Sequence, residues 1–370
     1  MTPVQYHSGK FPPATLDLAR LFPLIGPASA ELARFAGTLS AIPNAEVLLS
    51  PLTTQEAVLS SKIEGTQATI GDVLEFEAGK EPISEKKEAD ILEVLNYRAA
   101  MRGAVEQMSK LPLSQRLVRD AHRRLMQGVR GQNKTPGDYR RTPNWIGPPN
   151  RPIEEARFIP PPADRVPDAM SAWERYLHAD APDRLVQLAI LHAEFEAIHP
   201  FLDGNGRLGR LIVPLFLVDK KLLSGPTFYI SAYFEAHRDE YYERLLAVSR
   251  DDDWTGWCLY FLTAVIEQAR DNTAKAGAIL NLYRQKGDWL AQTTGSRHAV
   301  RAIDWFFNRP IFKTSDFVDS ADVPKRTAHR ILTIAREKRL LRTLRAASGR
   351  RPAVLCFSEL MNIAEGRRVF

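Results

Sequence analysis

Residues 199–210 read HPFLDGNGRLGR, and they follow DRLVQLAILHAEFEAI (183–198), in which Leu188, Leu191, Phe195 and Ile198 recur at three- and four-residue intervals. That spacing predicts a helix with one buried face. Pro200 disfavours helical geometry at the residue before it, so the helix stops at His199. FLDGNG then turns the chain, Gly204 and Gly206 let backbone N–H groups approach a ligand, and a second helix opens near Arg207. The free N–H groups and positive dipole end of that helix make an anion site. Arg207 and Arg210, three residues apart, project from its first turn on one side. Asp203 repels phosphate unless a magnesium ion bridges the two. The stretch therefore suits a metal-bound di- or triphosphate, with His199 beside it as base.

The 370-residue chain is long for a single core, so two or three domains are expected. Hydrophobic content of 44% and charged content of 25% are those of a soluble globular protein, and the net charge of +6 is a mild basic bias. Two cysteines, Cys258 and Cys356, about a hundred residues apart, argue against a disulfide framework and for a reducing compartment. The first residues, MTPVQYHSGKFPPATLDLARLF, lack a basic segment followed by an apolar one, which disfavours a signal peptide. The longest apolar run, LIVPLFLV (211–218), is too short for a membrane span. The expected location is the cytoplasm.

Helical spacing marks 29–49, 54–64, 88–108 and 113–129, then 164–179, 183–198, 207–222, 236–250 and 253–285. Between them, residues 131–162 alternate Pro, Gly and Asn with short apolar pieces, which suits a hairpin or flap. The last seventy residues predict a helix (299–307), a short helix near 314–318, a helix from about 324 to 338 and two short strands around a glycine-containing tip. That is a winged-helix pattern. The fold class is thus mainly α. Three regions are expected: an N-terminal helical region (1–110), a core (111–285) and a winged-helix domain (286–370).

HPFLDGNGRLGR resembles the HPFx(D/E)GNGRxxR signature of Fic proteins with no departure, and the resemblance extends over roughly residues 50–285. It implies a Fic-type helical core with a short β-hairpin flap and transfer of AMP from ATP to a hydroxyl of a target protein. By that resemblance His199 deprotonates the target Ser, Thr or Tyr, and Asp203 holds Mg2+ across the α- and β-phosphates. Asn205, with the amides near Gly204 and Gly206, stabilises charge on the α-phosphate. Arg207 binds the outer phosphates, Arg210 binds the γ-phosphate, and a flap over 144–159 aligns the target by strand addition. YISAYFEAHRDEYYERL (229–245) resembles the stretch that closes over the nucleoside, with Tyr233 as stacking surface. Helix packing is the alternative for these aromatics. His192, Glu196 and His199 at i, i+4 and i+7 invite a zinc reading, but the spacing is not HExxH and a packed, hydrogen-bonded His192 is preferred.

A second stretch, SSKIEGTQAT (60–69), ends a helix predicted over about 53–65, opened by a threonine cap and closed at Gly65. Glu64 then stands at the negative end of the helix dipole, where a carboxylate benefits from an external cation. The stretch looks like the inhibitory motif (S/T)xxxE(G/N) of many Fic proteins, with Ser60, Glu64 and Gly65 in place. The resemblance implies pairing of Glu64 with Arg210 and an autoinhibited enzyme.

Residues 321–351 hold ten Lys and Arg against two acidic residues, ten minus two giving +8, more than the whole chain's net charge. On a winged helix, residues 324–351 would present a recognition helix and a wing to DNA. Two further readings share these residues: removal of AMP from a modified protein, and a nucleotide-sensing transcriptional regulator. Homodimers are common among proteins the chain resembles.

Overall fold

The computed structural model describes residues 2–129, 134–148 and 151–370. In chain order the elements are strand β1 (Val4–Gln5) and helices α1 (Leu18–Ser40), α2 (Ala45–Leu48), α3 (Ser50–Ile63), α4 (Ile70–Glu77), α5 (Glu85–Met108) and α6 (Gln115–Leu125). Strand β2 (Phe158–Ile159) precedes α7 (Val166–His178), α8 (Arg184–Ile198), α9 (Asn205–Asp219), α10 (Ser231–Ala236), α11 (Arg238–Asp251) and α12 (Trp254–Thr294). The chain closes with α13 (Ala299–Asn308), β3 (Ile311–Lys313), α14 (Thr314–Ser320), α15 (Lys325–Glu337), β4 (Arg342–Arg345), β5 (Val354–Cys356) and α16 (Ser358–Glu365). The fold is mainly α, as expected. Among the described residues no helix is long and apolar enough to cross a membrane.

Two compact units share the chain. One comprises the residues up to Ala36, Leu59–Thr66 and Leu95–Arg270; the other comprises Gly37–Val58, Gln67–Val94 and Asp271–Phe370. In the first, α8 and α9 form the centre. Every residue of α8 from Leu185 to Ile198 is buried except Glu196, and α9 is buried from Arg207 to Leu217. A helix apolar on nearly all sides must be enclosed, and α6, α7 and α11 pack around this pair. In the second unit β3, β5 and β4 form an antiparallel sheet in that spatial order. Ile331, Leu332 and Ala335 of α15 are buried, while Arg326, His329, Arg330 and Thr333 face solvent.

Several boundaries differ from the sequence reading. The first long helix begins at Leu18, not near 29, and contains Pro23 and Pro27. Both prolines are exposed, so carbonyls left without an N–H partner can face water. The threonine cap is overturned: α3 starts at Ser50, and the Thr53 and Thr54 hydroxyls donate to the carbonyls of Leu49 (3.4 Å) and Ser50 (3.2 Å) one turn back. Helices α4 and α16 and strand β3 were not anticipated, and α12 runs to Thr294, beyond 285. In the flap, residues 149–150 lie outside the described residues. Around them one antiparallel bridge joins Ile146 to Phe158.

Candidate active site

The end of α8 sets the site. His199 takes a left-handed backbone (φ 47°, ψ 60°), strained for a residue with a β-carbon. That conformation stops the helix and leaves the carbonyls of its last turn in need of donors at its negative end. Arg140, 2% exposed, supplies them. Its Nε donates to the His199 carbonyl at 3.0 Å, and Nη2 donates to the carbonyls of Ile198 (3.3 Å) and Pro161. The Arg140 amide also donates to the Pro200 carbonyl (2.9 Å). His199 Nδ1 lies 3.4 Å from the Glu196 carbonyl, which directs Nε2 away from its own helix. Burial lowers the His199 pKa to about 4, so the ring is neutral at pH 7 and able to accept a proton.

The loop after it is held from both ends. Asn205, 2% exposed, accepts the Phe201 amide (2.9 Å) and donates to the Phe201 carbonyl (2.8 Å). Both polar ends of the Asn205 side chain thus engage the Phe201 backbone and help close the turn. The same carbonyl accepts from Asn144 Nδ2 (3.1 Å), which ties the base of the flap to the loop. His122 lies beneath, its ring stacked on Phe201 (3.8 Å, 15°). His122 Nδ1 accepts the Gly137 amide (2.8 Å), so Nε2 carries the hydrogen that reaches the Asp203 carbonyl (2.9 Å). Burial keeps this ring neutral as well, with its pKa lowered to about 4.

Asp203 accepts the Gly204 amide on Oδ1 (2.7 Å) and is faced by Arg207 (3.7 Å) and Lys134 (3.6 Å). Its side chain keeps 31% exposure. Asp203, a partly exposed carboxylate at the entrance to a helix N-terminus, is the side chain here that could hold a divalent cation shared with phosphates. Arg207 is buried against Met126 Sδ (3.9 Å).

Helix α3 ends as expected, in a Schellman arrangement: Gly65, at φ +99°, donates to the Lys62 carbonyl (2.9 Å) and Thr66 to that of Ser61 (3.2 Å). This delivers Glu64 to Arg210. The guanidinium, 1% exposed, donates from Nη2 to Glu64 Oε1 (2.6 Å) and the Ser60 carbonyl (2.8 Å), and from Nε to Ser60 Oγ (3.0 Å). Gly206 makes the approach possible, since a β-carbon there would lie 2.2 Å from Glu64 Oε1. The glutamate thus reaches the first turn of α9, the place a phosphate would take. Burial alone would raise its pKa, but Arg210 first, then Arg207 and His199, outweigh it and hold the carboxyl below its usual range. The Arg210 pKa is raised: burial opposes the charge, and Glu64 overcomes it.

Tyr233, on α10, stacks on His237 (4.2 Å, 29°) and lies near Tyr260 (5.7 Å). His192 is hydrogen-bonded to Tyr241 Oη (2.9 Å) and stacked with Trp257. Sequence reasoning missed His122, Arg140 and Asn144. The run GDYRR (137–141) did carry a signal, as an arginine in a glycine- and proline-rich stretch beside an apolar helix end.

Residues 22–106 match the profile described as Fic/DOC family N-terminal, and residues 112–217 that of the Fic/DOC family; together they take in more than half of the chain. The chain is 32% identical over 203 residues to a probable protein adenylyltransferase of Aquifex aeolicus (strain VF5), covering 52% of this chain and 57% of that one. It is 25% identical over 160 residues to the protein adenylyltransferase Fic of Drosophila grimshawi, covering 42% and 31%. It spans less than two thirds of either relative. Among solved structures, the crystal structure of a Fic family protein from Desulfovibrio desulfuricans G20 aligns at a TM-score of 0.60 and 22% identity over 94% of this chain and 98% of that one. A Fic domain containing signaling protein from Bacteroides thetaiotaomicron VPI-5482 aligns at 0.51 and 17% identity over 67% and 97%. Fold, loop and sequence matches agree: the chain belongs to the Fic/DOC family.

Proposed function

We propose that this protein is a magnesium-dependent protein adenylyltransferase held in check by Glu64. The observation that carries the reading is the Glu64 carboxylate on Arg210 at the first turn of α9, in the anion site beside His199. The relatives named as adenylyltransferases support the reaction class. In the reaction, the target hydroxyl oxygen attacks the α-phosphorus of ATP, the bond from that phosphorus to the β-phosphate oxygen breaks, and pyrophosphate leaves. The neutral His199 ring takes the hydroxyl proton on Nε2. The amides of Asn205, Gly206 and Arg207 at the helix start meet phosphate oxygens, and Arg207 and, once freed, Arg210 neutralise the outer phosphates. Asp203 is the residue that would hold Mg2+, which when bound screens phosphate charge. Tyr233 serves as the nucleoside stacking surface once His237 gives way. The flap aligns the target.

The decisive experiment is incubation of the Glu64→Gly protein with ATP and magnesium. Mass spectrometry is expected to show one added adenylyl group, and no mass gain overturns the reading. If release of AMP from an adenylylated protein is faster than labelling, the same residues work in reverse.

The second unit supports a further reading. We read 299–365 as a winged helix, on its order of helix, strand, two helices and two strands. Arg326, Arg336, Lys338, Arg339, Arg350 and Arg351 are exposed, which suits DNA phosphates. A gel shift that weakens steeply with salt is expected, and a salt-independent or absent shift removes it.

A further inference from the structure

Residues 4–7 build an arrangement that neither the nucleotide site nor the proton transfer uses. Strand β1 runs parallel to β2, with the Val4 amide on the Arg157 carbonyl (3.1 Å) and the Tyr6 amide on the Ile159 carbonyl (3.0 Å). The opposite edge of β2 is taken by Ile146, whose amide donates to the Phe158 carbonyl (2.9 Å) and whose carbonyl accepts the Phe158 amide (3.1 Å). The strand behind the flap is therefore bonded on both sides. One bridge between 146 and 158 is too little to hold a hairpin, since even a full two-stranded hairpin is marginal in water. The second pair of bonds comes from β1.

What fixes β1 is Glu194. It is fully buried on α8, five residues before His199. Tyr6 Oη donates to its Oε1 (2.6 Å), and His7 Nε2 donates to its Oε2 (2.7 Å). The other His7 nitrogen meets Ser249 Oγ on α11 (2.7 Å), so the buried ring is engaged at both ends. Five helical residues span about 7.5 Å, so one rigid element carries both the anchor of β1 and the base. Loss of the carboxylate would strand a phenol and an imidazole in the interior.

We propose that β1 is the third strand of the flap and that Glu194 is the positioning residue that locks it. Target docking, and not nucleotide binding, then depends on residues 4–7. This rests on the reading of the flap as the docking element. Because strand backbone groups alternate in direction, β1 leaves the outer edge at Trp145 and Gly147 for an incoming strand.

The test uses the Glu64→Gly protein with residues 1–7 deleted, and separately with Glu194→Gln, which keeps the shape should the deletion fail to fold. Self-labelling from α-labelled ATP is expected to fall at least tenfold, while ATP affinity by calorimetry stays within twofold. A synthetic peptide of residues 2–12 should restore labelling to the deletion protein, and the same peptide carrying Tyr6→Phe and His7→Ala should not. Trypsin cleavage after Arg157 should become faster in both variants. Full labelling without residues 1–7, an equal fall in ATP affinity and labelling, or unchanged cleavage after Arg157 would each overturn the proposal. Should the full-length Glu64→Gly protein not label at all, the adenylyltransferase reading fails, and the cleavage arm still decides whether β1 orders the flap.

Discussion

Replacing Glu64 with glycine should release Arg210, and the structure gives the size of the effect. Among the described residues the carboxylate supplies one of the three hydrogen bonds held by the guanidinium, at 2.6 Å, and the one from a charged partner; Ser60 supplies the other two. A charge-assisted bond contributes a net 1.5–3 kcal/mol or so. Glu64 retains 35% exposure, which places this pair in the lower part of that range, at about 2 kcal/mol. That corresponds to roughly a 30-fold change in the population of free Arg210. If Arg210 must hold the γ-phosphate, the initial rate of α-labelled AMP incorporation should rise about 10- to 100-fold. The same substitution leaves a buried cation with two neutral acceptors, and a loss of about 2 kcal/mol in a chain of this length should lower the melting temperature by about 2–3 °C. The inhibitory contact should also ignore pH near neutrality. The Glu64 pKa is depressed in the folded state, so the pairing is present above the ordinary carboxylate value and is lost only as pH falls through a lower one. A folded Glu64→Gly protein labelling within twofold of wild type would refute the reasoning.

In the Glu64→Gly background, His199→Ala should abolish labelling while ATP still binds by calorimetry; residual labelling above a few per cent would move the base elsewhere. Because burial lowers the His199 pKa to about 4, the acid limb of the labelling rate should lie well below pH 6.5, the ordinary histidine value. Arg140→Met should lower kcat with ATP affinity kept and cost about 2–4 kcal/mol of stability, measured by denaturant unfolding, because two carbonyls at the end of α8 and that of Pro161 lose their donor. Burial raises the Glu196 pKa to about 8, so the native state keeps a proton that the unfolded chain releases above about pH 4.3. Stability should therefore decline as pH rises from about 4.3 to 8, and Glu196→Gln should flatten that slope in unfolding curves taken at several pH values.

The loop was legible because all of its instructions are local. Pro200 stops α8, glycines turn the chain, and two arginines one turn apart share a helix face, so twelve contiguous residues state both shape and charge. Helix α4 was equally legible and went unread: Thr69 and Asp72 form a reciprocal capping box at its start. Other features have no local signature. Strands of two residues, such as β1 and β2, show no periodicity, and their pairing joins positions more than 150 residues apart. His122 reads in sequence as one more helical residue; it becomes the floor of the loop because folding brings it to Asp203, 81 residues away. Sequence determined which groups could bind phosphate and take a proton, since those are properties of residue type and spacing. Tertiary structure alone decided what holds them in place, because a buried carbonyl or guanidinium must find a partner wherever the packed chain offers one.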